Sequence, residues 1–159
     1  MRKERMNDRG FSLVELIIVI AIMAILIVVL APQYLRYVER SRNSTDMQNA
    51  RTIMTAIETW AADPQADSTF GGDGETITIT IEPRGTTSTI VLSEDGSTAG
   101  DDALEATGLD LNDIQCSSRT AWTQYQIVGT VEESGAIDWA FAPQEFEDVM
   151  TGQTTPATQ

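Results

Sequence analysis

Residues 10 to 32 read GFSLVELIIVIAIMAILIVVLAP, and this stretch decides the architecture of the chain. No residue from Leu16 to Leu35 is charged, and residues 16 to 31 are apolar throughout. Twenty helical residues span about 30 Å, which is the thickness of the hydrocarbon core of a bilayer. The stretch therefore predicts a transmembrane helix over residues 11 to 35.

The ten residues before this stretch are basic. Four cationic residues outnumber Glu4 and Asp8 there: Arg2, Lys3, Arg5 and Arg9. The positive-inside rule then places residues 1 to 10 in the cytoplasm and everything beyond the helix outside.

A cleaved secretory signal is the alternative, because such signals also join basic residues to an apolar run. The run here is longer than the usual apolar region of about 7 to 15 residues. The only small residue at the end of the run that could mark a cleavage site is Ala31, and Pro32 follows it directly. A proline after the scissile bond makes a poor protease site. Glu15 places a carboxylate where a signal peptide carries apolar residues, so the transmembrane interpretation is favoured.

Arg9-Gly10-Phe11-Ser12-Leu13-Val14-Glu15-Leu16, followed by the apolar helix and Pro32, resembles the prepilin cleavage and methylation motif of type IV pilins and pseudopilins. The resemblance covers about the first 40 residues. It implies that a prepilin peptidase cuts between Gly10 and Phe11, discards the leader and methylates the new amine of Phe11. It also implies a homo-oligomeric helical filament built by an assembly platform and an ATPase.

Glu15 has an expected role in assembly. An ionised carboxylate costs about 2.5 to 3.5 kcal/mol at a bilayer centre and less near the interface, so an interfacial carboxylate is the simpler alternative. The resemblance favours pairing of Glu15 with the Phe11 amine of a neighbouring subunit, and misaligned subunits would leave one charge unpaired.

Two features depart from the family pattern. Position 24 is Ala, where many members have Gly, so local melting of the helix between Ala24 and Pro32 does not follow. Cys116 has no partner for the usual C-terminal disulfide, and a buried small hydrophobe is its expected role.

After Pro32, where we expect a helix kink, the pattern becomes amphipathic up to Asp63-Pro64. Apolar residues recur at spacings of three and four and predict one face packed on a sheet: Met47, Ala50, Ile53, Met54, Ile57, Trp60 and Ala61. Four arginines lie along this segment: Arg36, Arg40, Arg42 and Arg51. They are expected to be either solvated or in contact with lipid head groups or with the acidic heads of other subunits.

Two hairpins are predicted beyond the helix. Residues 76 to 81 (TITITI) alternate cleanly, and residues 87 to 93 return after the turn Pro83-Arg84-Gly85. Residues 124 to 131 and 136 to 141 flank the turn at residues 132 to 135, with Ile137, Trp139 and Phe141 on one face. Residues 101 to 112 are expected to form a short helical turn.

The expected fold is therefore α+β. A long N-terminal helix, transmembrane in its first half and amphipathic in its second, packs on a small antiparallel sheet of about four strands. The chain divides into a cleaved leader (1 to 10), a transmembrane and filament-core helix (11 to 35), an amphipathic helix (36 to 62), an acidic β head (63 to 150) and a disordered tail (151 to 159).

Charge is unevenly distributed along the chain. Residues 1 to 62 hold 8 basic and 6 acidic groups, and residues 63 to 159 hold 2 basic and 18 acidic groups. Direct nucleic-acid binding by the head is therefore not expected. The pairs Asp73/Glu75, Glu94/Asp95 and Asp101/Asp102 could bind calcium, but none has EF-hand spacing, so a solvated acidic surface is favoured and no metal site is predicted.

The chain has no His, an isolated thiol and no phosphate-binding or nucleophile motif, so neither catalysis nor a cofactor is expected. The favoured function is a structural subunit of a type IV pilus-like surface filament, inserted in the cytoplasmic membrane as a single-pass precursor. The alternatives are a pseudopilin of a type II secretion or DNA-uptake machine, and a membrane-anchored monomeric binding module.

Overall fold

The structure, a computed structural model, describes residues 12 to 62, 74 to 92, 103 to 105 and 107 to 153. Helix α1 covers Leu13–Ala61 without interruption, and Pro32 lies inside it. The chain divides into two compact units. Residues 1 to 38 contain the apolar part of α1, and residues 39 to 159 contain the remainder of α1 and the sheet. The long helix of the sequence-based prediction is confirmed.

Four antiparallel strands form one sheet in the second unit. They are β1 (Thr76–Ile81), β2 (Thr89–Leu92), β3 (Tyr125–Val131) and β4 (Ile137–Ala142). The spatial order is β2-β1-β3-β4, so the two predicted hairpins lie side by side and join through β1 and β3. Ile79 pairs with Ile90 on β2 and with Ile127 on β3. The predicted α+β fold is confirmed.

Both hairpin turns depend on a glycine in the left-handed region, where a side chain would be strained. Gly85 has a φ of 100° and lies in the turn closed by a bond from the Thr86 amide to the Pro83 carbonyl. Gly135 has a φ of 79°, and its amide donates to the Glu132 carbonyl.

One apolar core joins the sheet to the second part of α1. The alternating side chains of β1 and β3 bury the faces predicted from the sequence, and α1 supplies its own buried stripe. The most buried members are Ala50, Ile53, Ile57, Ile77, Ile79, Ile81, Tyr125 and Ile127. Ile137, Trp139 and Phe141 of β4 pack together against this core, as the alternation predicts.

The helix stripe differs from its prediction at two positions. Ala61 is exposed, because it is the last residue of α1. Ala56 is buried, although the predicted stripe omitted it. Met54 and Trp60 pack against the core, whereas Met47 is half-buried beside an open groove.

A short second helix, α2 (Gln144–Thr151), was not predicted from the sequence. Its Phe146 is fully buried and stacks on Tyr125, with the ring centroids 4.3 Å apart. Gly152 ends the helix in the left-handed conformation. The predicted tail begins at Thr151, the last residue of α2, and residues 154 to 159 lie outside the described part.

Residues between the hairpins form two short turns. Residues 103 to 105 are helical, and Leu111–Asp113 forms one turn of 3-10 helix whose N-terminal amide at Asn112 donates to Asp110. Ala103, Leu104 and Leu111 are buried. The helical turn expected over residues 101 to 112 is thus two separate pieces, and Asp101 and Asp102 lie outside the described residues.

Candidate functional site

The predicted processing residues lie at the edge of the described chain. Gly10 and Phe11 fall outside the described residues, which begin at Ser12. Their predicted cleavage and methylation therefore stay predictions from the sequence. Of the predicted site residues near the N-terminus, Glu15 is the first that the structure describes.

Glu15 supplies the carboxylate half of a capping box at the start of α1. Its Oε2 accepts a hydrogen bond of 2.9 Å from the Ser12 amide, and the Leu16 amide donates to the Ser12 carbonyl. In a capping box, Ser precedes Glu by three residues and the Glu side chain reaches back to an otherwise unpaired amide. The Ser-x-x-Glu spacing before an apolar run signals this arrangement, which was not among the predictions from the sequence.

The apolar half of α1 presents its side chains outward on all sides. The large apolar residues between Leu13 and Leu30 are 47% to 74% exposed. No part of its most apolar 18-residue window is buried, and the helix is long and apolar enough to cross a membrane. Such a surface is far larger than the apolar patches of soluble monomers, so it requires lipid or protein around it.

Pro32 interrupts the hydrogen bonding of α1 without ending the helix. Because proline has no N–H, the carbonyl of Val28 loses its usual donor four residues along. The helix is continuous on both sides, including Ala24. A kink at Pro32 stays a prediction from the sequence.

A second carboxylate, Glu39, attaches the loop before β3 to α1. Its Oε1 accepts three hydrogen bonds: from the Ser118 hydroxyl at 2.8 Å, the Arg119 amide at 2.7 Å and the Thr120 amide at 2.8 Å. Its Oε2 pairs with Arg42 at 3.3 Å. Burial raises the pKa of Glu39, but these hydrogen bonds outweigh it and lower the pKa from 4.5 to about 2.

Asp46 lies two helical turns further along the same face and is fully buried. It accepts from the Ser117 amide at 2.8 Å, the Ser118 amide at 2.9 Å and the Trp122 indole N–H at 2.9 Å. Four donors surround it when the Cys116 thiol is included, at 3.6 Å. We refer to Glu39, Asp46 and their donors in residues 116 to 122 as the carboxylate clamp.

The Cys116 thiol is a donor within this clamp. It is 7% exposed, so the predicted burial is confirmed, and it also contacts the Asp46 carboxylate. Burial, together with the negative charge of Asp46, raises the pKa of Cys116 to about 12. The thiol is therefore protonated and unreactive at neutral pH.

In the sequence, residues 39 to 46 are a polar interruption of the apolar stripe. The structure shows that Glu39 and Asp46, seven residues apart, point to the same side and accept backbone amides. Their spacing was the available signal, but only the fold identifies residues 117 to 120 as the donors. Arg42 is held by Glu39, whereas Arg36, Arg40 and Arg51 are exposed.

The acidic pairs considered for calcium are largely outside the described residues; Glu75 is their one described member. Within the ranges that the structure describes, no three carboxylate or thiol side chains lie close enough to share a metal ion.

Comparison with known proteins agrees with the motif. The family model described as the prokaryotic N-terminal methylation motif matches residues 5–31. The type IV major fimbrial protein FimA of Dichelobacter nodosus is 45% identical over 66 residues, which are 41% of this chain and 41% of FimA. The type IV major pilin PilA of Myxococcus xanthus is 33% identical over 75 residues, 46% of this chain and 34% of PilA.

A third relative is the prepilin peptidase-dependent protein A of Clostridium perfringens. It is 34% identical over 65 residues, 41% of this chain and 46% of that protein. The chain thus spans less than half the length of these relatives. No solved structure matches it at a significant level. In its N-terminal methylation motif and over these 65 to 75 residues, the chain is similar to type IV pilins.

Proposed function

We propose that the chain is the structural subunit of a type IV pilus-like surface filament and polymerises through the apolar half of α1. The observation that carries this proposal is the exposure of the large apolar side chains between Leu13 and Leu30, at 47% to 74%. A bilayer covers this surface in the precursor, and neighbouring copies cover it in a filament. The relatives named as major fimbrial and pilin proteins support the same function.

Processing precedes assembly in this proposal. A prepilin peptidase cuts between Gly10 and Phe11 and methylates Phe11, which removes the basic leader. The methylation motif over residues 5–31 supports this step, as does the peptidase dependence in the name of the Clostridium relative. Before cleavage, residues 1 to 10 lie in the cytoplasm and the head lies outside, because the leader is basic.

Glu15 then neutralises the amine of a neighbouring Phe11. In the described chain Oε2 of Glu15 binds the Ser12 amide, which fixes the carboxylate at the start of α1. The same carboxylate has a second oxygen that can accept an N–H of a cationic amine. A buried, unpaired charge is costly, so this pair selects the correct stagger between subunits. An assembly platform and an ATPase supply the machinery and the energy.

Electron microscopy of sheared surface filaments, combined with mass spectrometry of their subunit, tests the proposal. We expect filaments whose major subunit begins with N-methylated Phe11. Absence of this chain from the filaments, despite its presence in the membrane, would contradict a main structural role and favour the pseudopilin alternative.

Cross-linking separates the filament from a monomeric membrane anchor. Single cysteines at positions 17, 20, 24 and 27 should give disulfide-linked dimers in cells, because neighbouring helices pack there. The buried, protonated Cys116 contributes little background. Monomer at every position would support the anchored binding module. The proposal includes no enzymatic activity, in line with relatives that are named as pilins and fimbrial proteins.

A further inference from the structure

An open groove of about 740 Å³ lies beside the carboxylate clamp. Three arginines line it, each from a different segment: Arg42 from α1, Arg84 from the β1–β2 turn and Arg119 from the loop before β3. We call it the arginine groove. Most of its other lining residues are neutral and polar, among them Ser41, Asn49 and Gln115.

This concentration of positive charge is unusual for the chain. Residues 63 to 159 contain two basic residues against 18 acidic ones, and both of the basic residues, Arg84 and Arg119, line the arginine groove. Both are exposed, and neither forms an ion pair with any residue that the structure describes. Arg42 is held by Glu39, and Asp113 is the one acidic residue among those lining the groove. The groove is thus a cationic site on an acidic domain.

The opposite end of the same unit carries exposed acid. On α1, residues between positions 41 and 49 line the arginine groove, whereas Glu58, further along the helix, accepts from the Trp139 indole at 2.8 Å. The pairing of β4 with β3 continues from Trp139 to Ile137, which lies opposite Val131 at the end of β3. The turn that holds Glu132 and Glu133 follows directly. The 16 residues from position 42 to position 58 span roughly 24 Å of helix.

This second surface, which we call the acidic turn, consists of residues 132 to 135. Glu132 and Glu133 are both exposed. Their backbone is fixed by bonds from the Glu132 amide to the Ala136 carbonyl and from the Gly135 amide to the Glu132 carbonyl. Guanidinium groups bind carboxylates through paired N–H donors, so two adjacent carboxylates on a hydrogen-bonded turn are complementary to them.

We propose that the arginine groove of one subunit receives the acidic turn of a second copy of the same chain. This inference rests on the proposed filament function. The two surfaces are different and lie at opposite ends of one unit, so the contact is head-to-tail. Such a contact does not close on itself unless the rotation forms a ring, and it therefore propagates as an open filament. Each exposed ion pair is weak, but the contact repeats at every subunit and disfavours reversed orientations.

Charge reversal in the full-length chain tests this contact in cells. Arg84→Glu with Arg119→Glu should lower the yield of sheared filaments at least tenfold, and Glu132→Arg with Glu133→Arg should do the same. Combining all four substitutions should restore the yield to within about threefold of the unaltered chain. Arg51→Glu and Asp138→Arg, which reverse exposed charges elsewhere, serve as controls and should leave the yield unchanged.

A disulfide trap tests proximity independently of yield. Arg84→Cys together with Glu133→Cys should give a ladder of disulfide-linked multimers in oxidised filaments, whereas Arg51→Cys with Glu133→Cys should not. Filaments that show neither charge dependence nor a ladder would overturn the contact while leaving the filament function intact. Loss of filaments on groove reversal, without rescue and without a ladder, would also overturn it and indicate another anionic occupant, such as a lipid head group. If the unaltered chain forms no filaments, the proposed function itself fails.

Discussion

Individual carboxylates on α1 hold the head together. Glu39, Asp46 and Glu58 each accept a hydrogen bond from a residue at least 70 positions later in the chain. The fully buried Asp46 is the most enclosed of them, and it has four donors around two oxygens. A carboxylate offers two acceptor oxygens and no donor, which suits it to these groups of N–H donors.

Asp46→Asn should destabilise the head by about 2 to 4 kcal/mol, because the amide nitrogen would face N–H donors and leave them unpaired. Unfolding of the full-length chain by urea in detergent micelles, followed by tryptophan fluorescence, measures this loss. Asp138→Asn, on an exposed position of β4, is the matched control. Equal midpoints for the two variants would contradict the clamp.

Glu39 should give the stability a specific dependence on pH. Its folded-state pKa of about 2 lies below the ordinary 4.5, so its contribution is complete above pH 4.5 and is lost as the pH falls towards 2. After allowance for solvent screening, we expect roughly 1 to 2 kcal/mol.

The comparison of unaltered chain with Glu39→Gln isolates this carboxylate from the other acids. Thermal unfolding in micelles should show the unaltered chain more stable at pH 7, with the difference vanishing near pH 2. A difference that stays constant from pH 7 to pH 2 would show that the charge of Glu39 is irrelevant.

Cys116 should resist modification in the folded chain. Burial and a pKa of about 12 leave almost no thiolate, so iodoacetamide at pH 8 should add no mass to the native protein. Denaturation in urea should give complete alkylation. Ser134→Cys, on the exposed acidic turn, supplies a control thiol that reacts in the native state. Alkylation of native Cys116 at the rate of this control would mean that the clamp opens readily.

At the scale of elements, α2 completes the core. This helix has eight residues, and its Phe146 lies within an aromatic cluster with Trp122, Tyr125 and Phe141 at centroid distances of 5.1, 4.3 and 6.0 Å. Trp122 contacts Phe146 of α2 and also donates to Asp46, so it links α2 to the carboxylate clamp. The C-terminal segment therefore supports the attachment of the loop to α1.

Phe146→Ala should cost about 3 to 5 kcal/mol, because it leaves a cavity among three aromatic rings. Val149→Ala removes a 38% exposed side chain from the same helix and should cost far less. Chemical unfolding of both variants in micelles gives the comparison. Similar small losses would mean that α2 contributes little to the core.

At the scale of the whole molecule, the chain joins a self-contained head unit to a helix segment that buries none of its own apolar surface. A stable monomer in water is incompatible with that exposed segment, so the molecule requires lipid or other subunits. Glu15 is the one carboxylate between residues 11 and 35, so the proposed charge pairing between subunits depends on this single side chain.

Glu15→Gln separates helix capping from charge pairing. Glutamine keeps the capping box, since it also reaches the Ser12 amide, but it cannot neutralise a cationic amine. We expect normal membrane insertion and processing with at least a tenfold loss of filaments, measured by fractionation and shearing. Glu15→Asp, which keeps the charge on a shorter side chain, should retain more filament. A normal filament yield from Glu15→Gln would refute the charge-pairing role.

The sequence by itself determined the elements that depend on local periodicity. The uninterrupted apolar run gave the membrane-length helix, and clean alternation gave all four strands within a few residues of their observed ends. The methylation motif was recognisable because its residues are adjacent in the chain. Helix α2 escaped prediction because eight residues are only about two helical turns, too short for the i, i+3, i+4 spacing of Phe146, Val149 and Met150 to stand out, and tertiary burial of Phe146 stabilises them.

Tertiary structure alone decided how the sequence's charges are used. Glu39 and Asp46 accept from residues 117 to 122, more than 70 positions away, and no local pattern specifies such partners. Arg84 and Arg119 meet in one groove only because the β1–β2 turn and the loop before β3 fold to the same end of the unit. Periodicity reports which face of an element is buried, whereas the pairing of distant polar groups depends on the assembled fold.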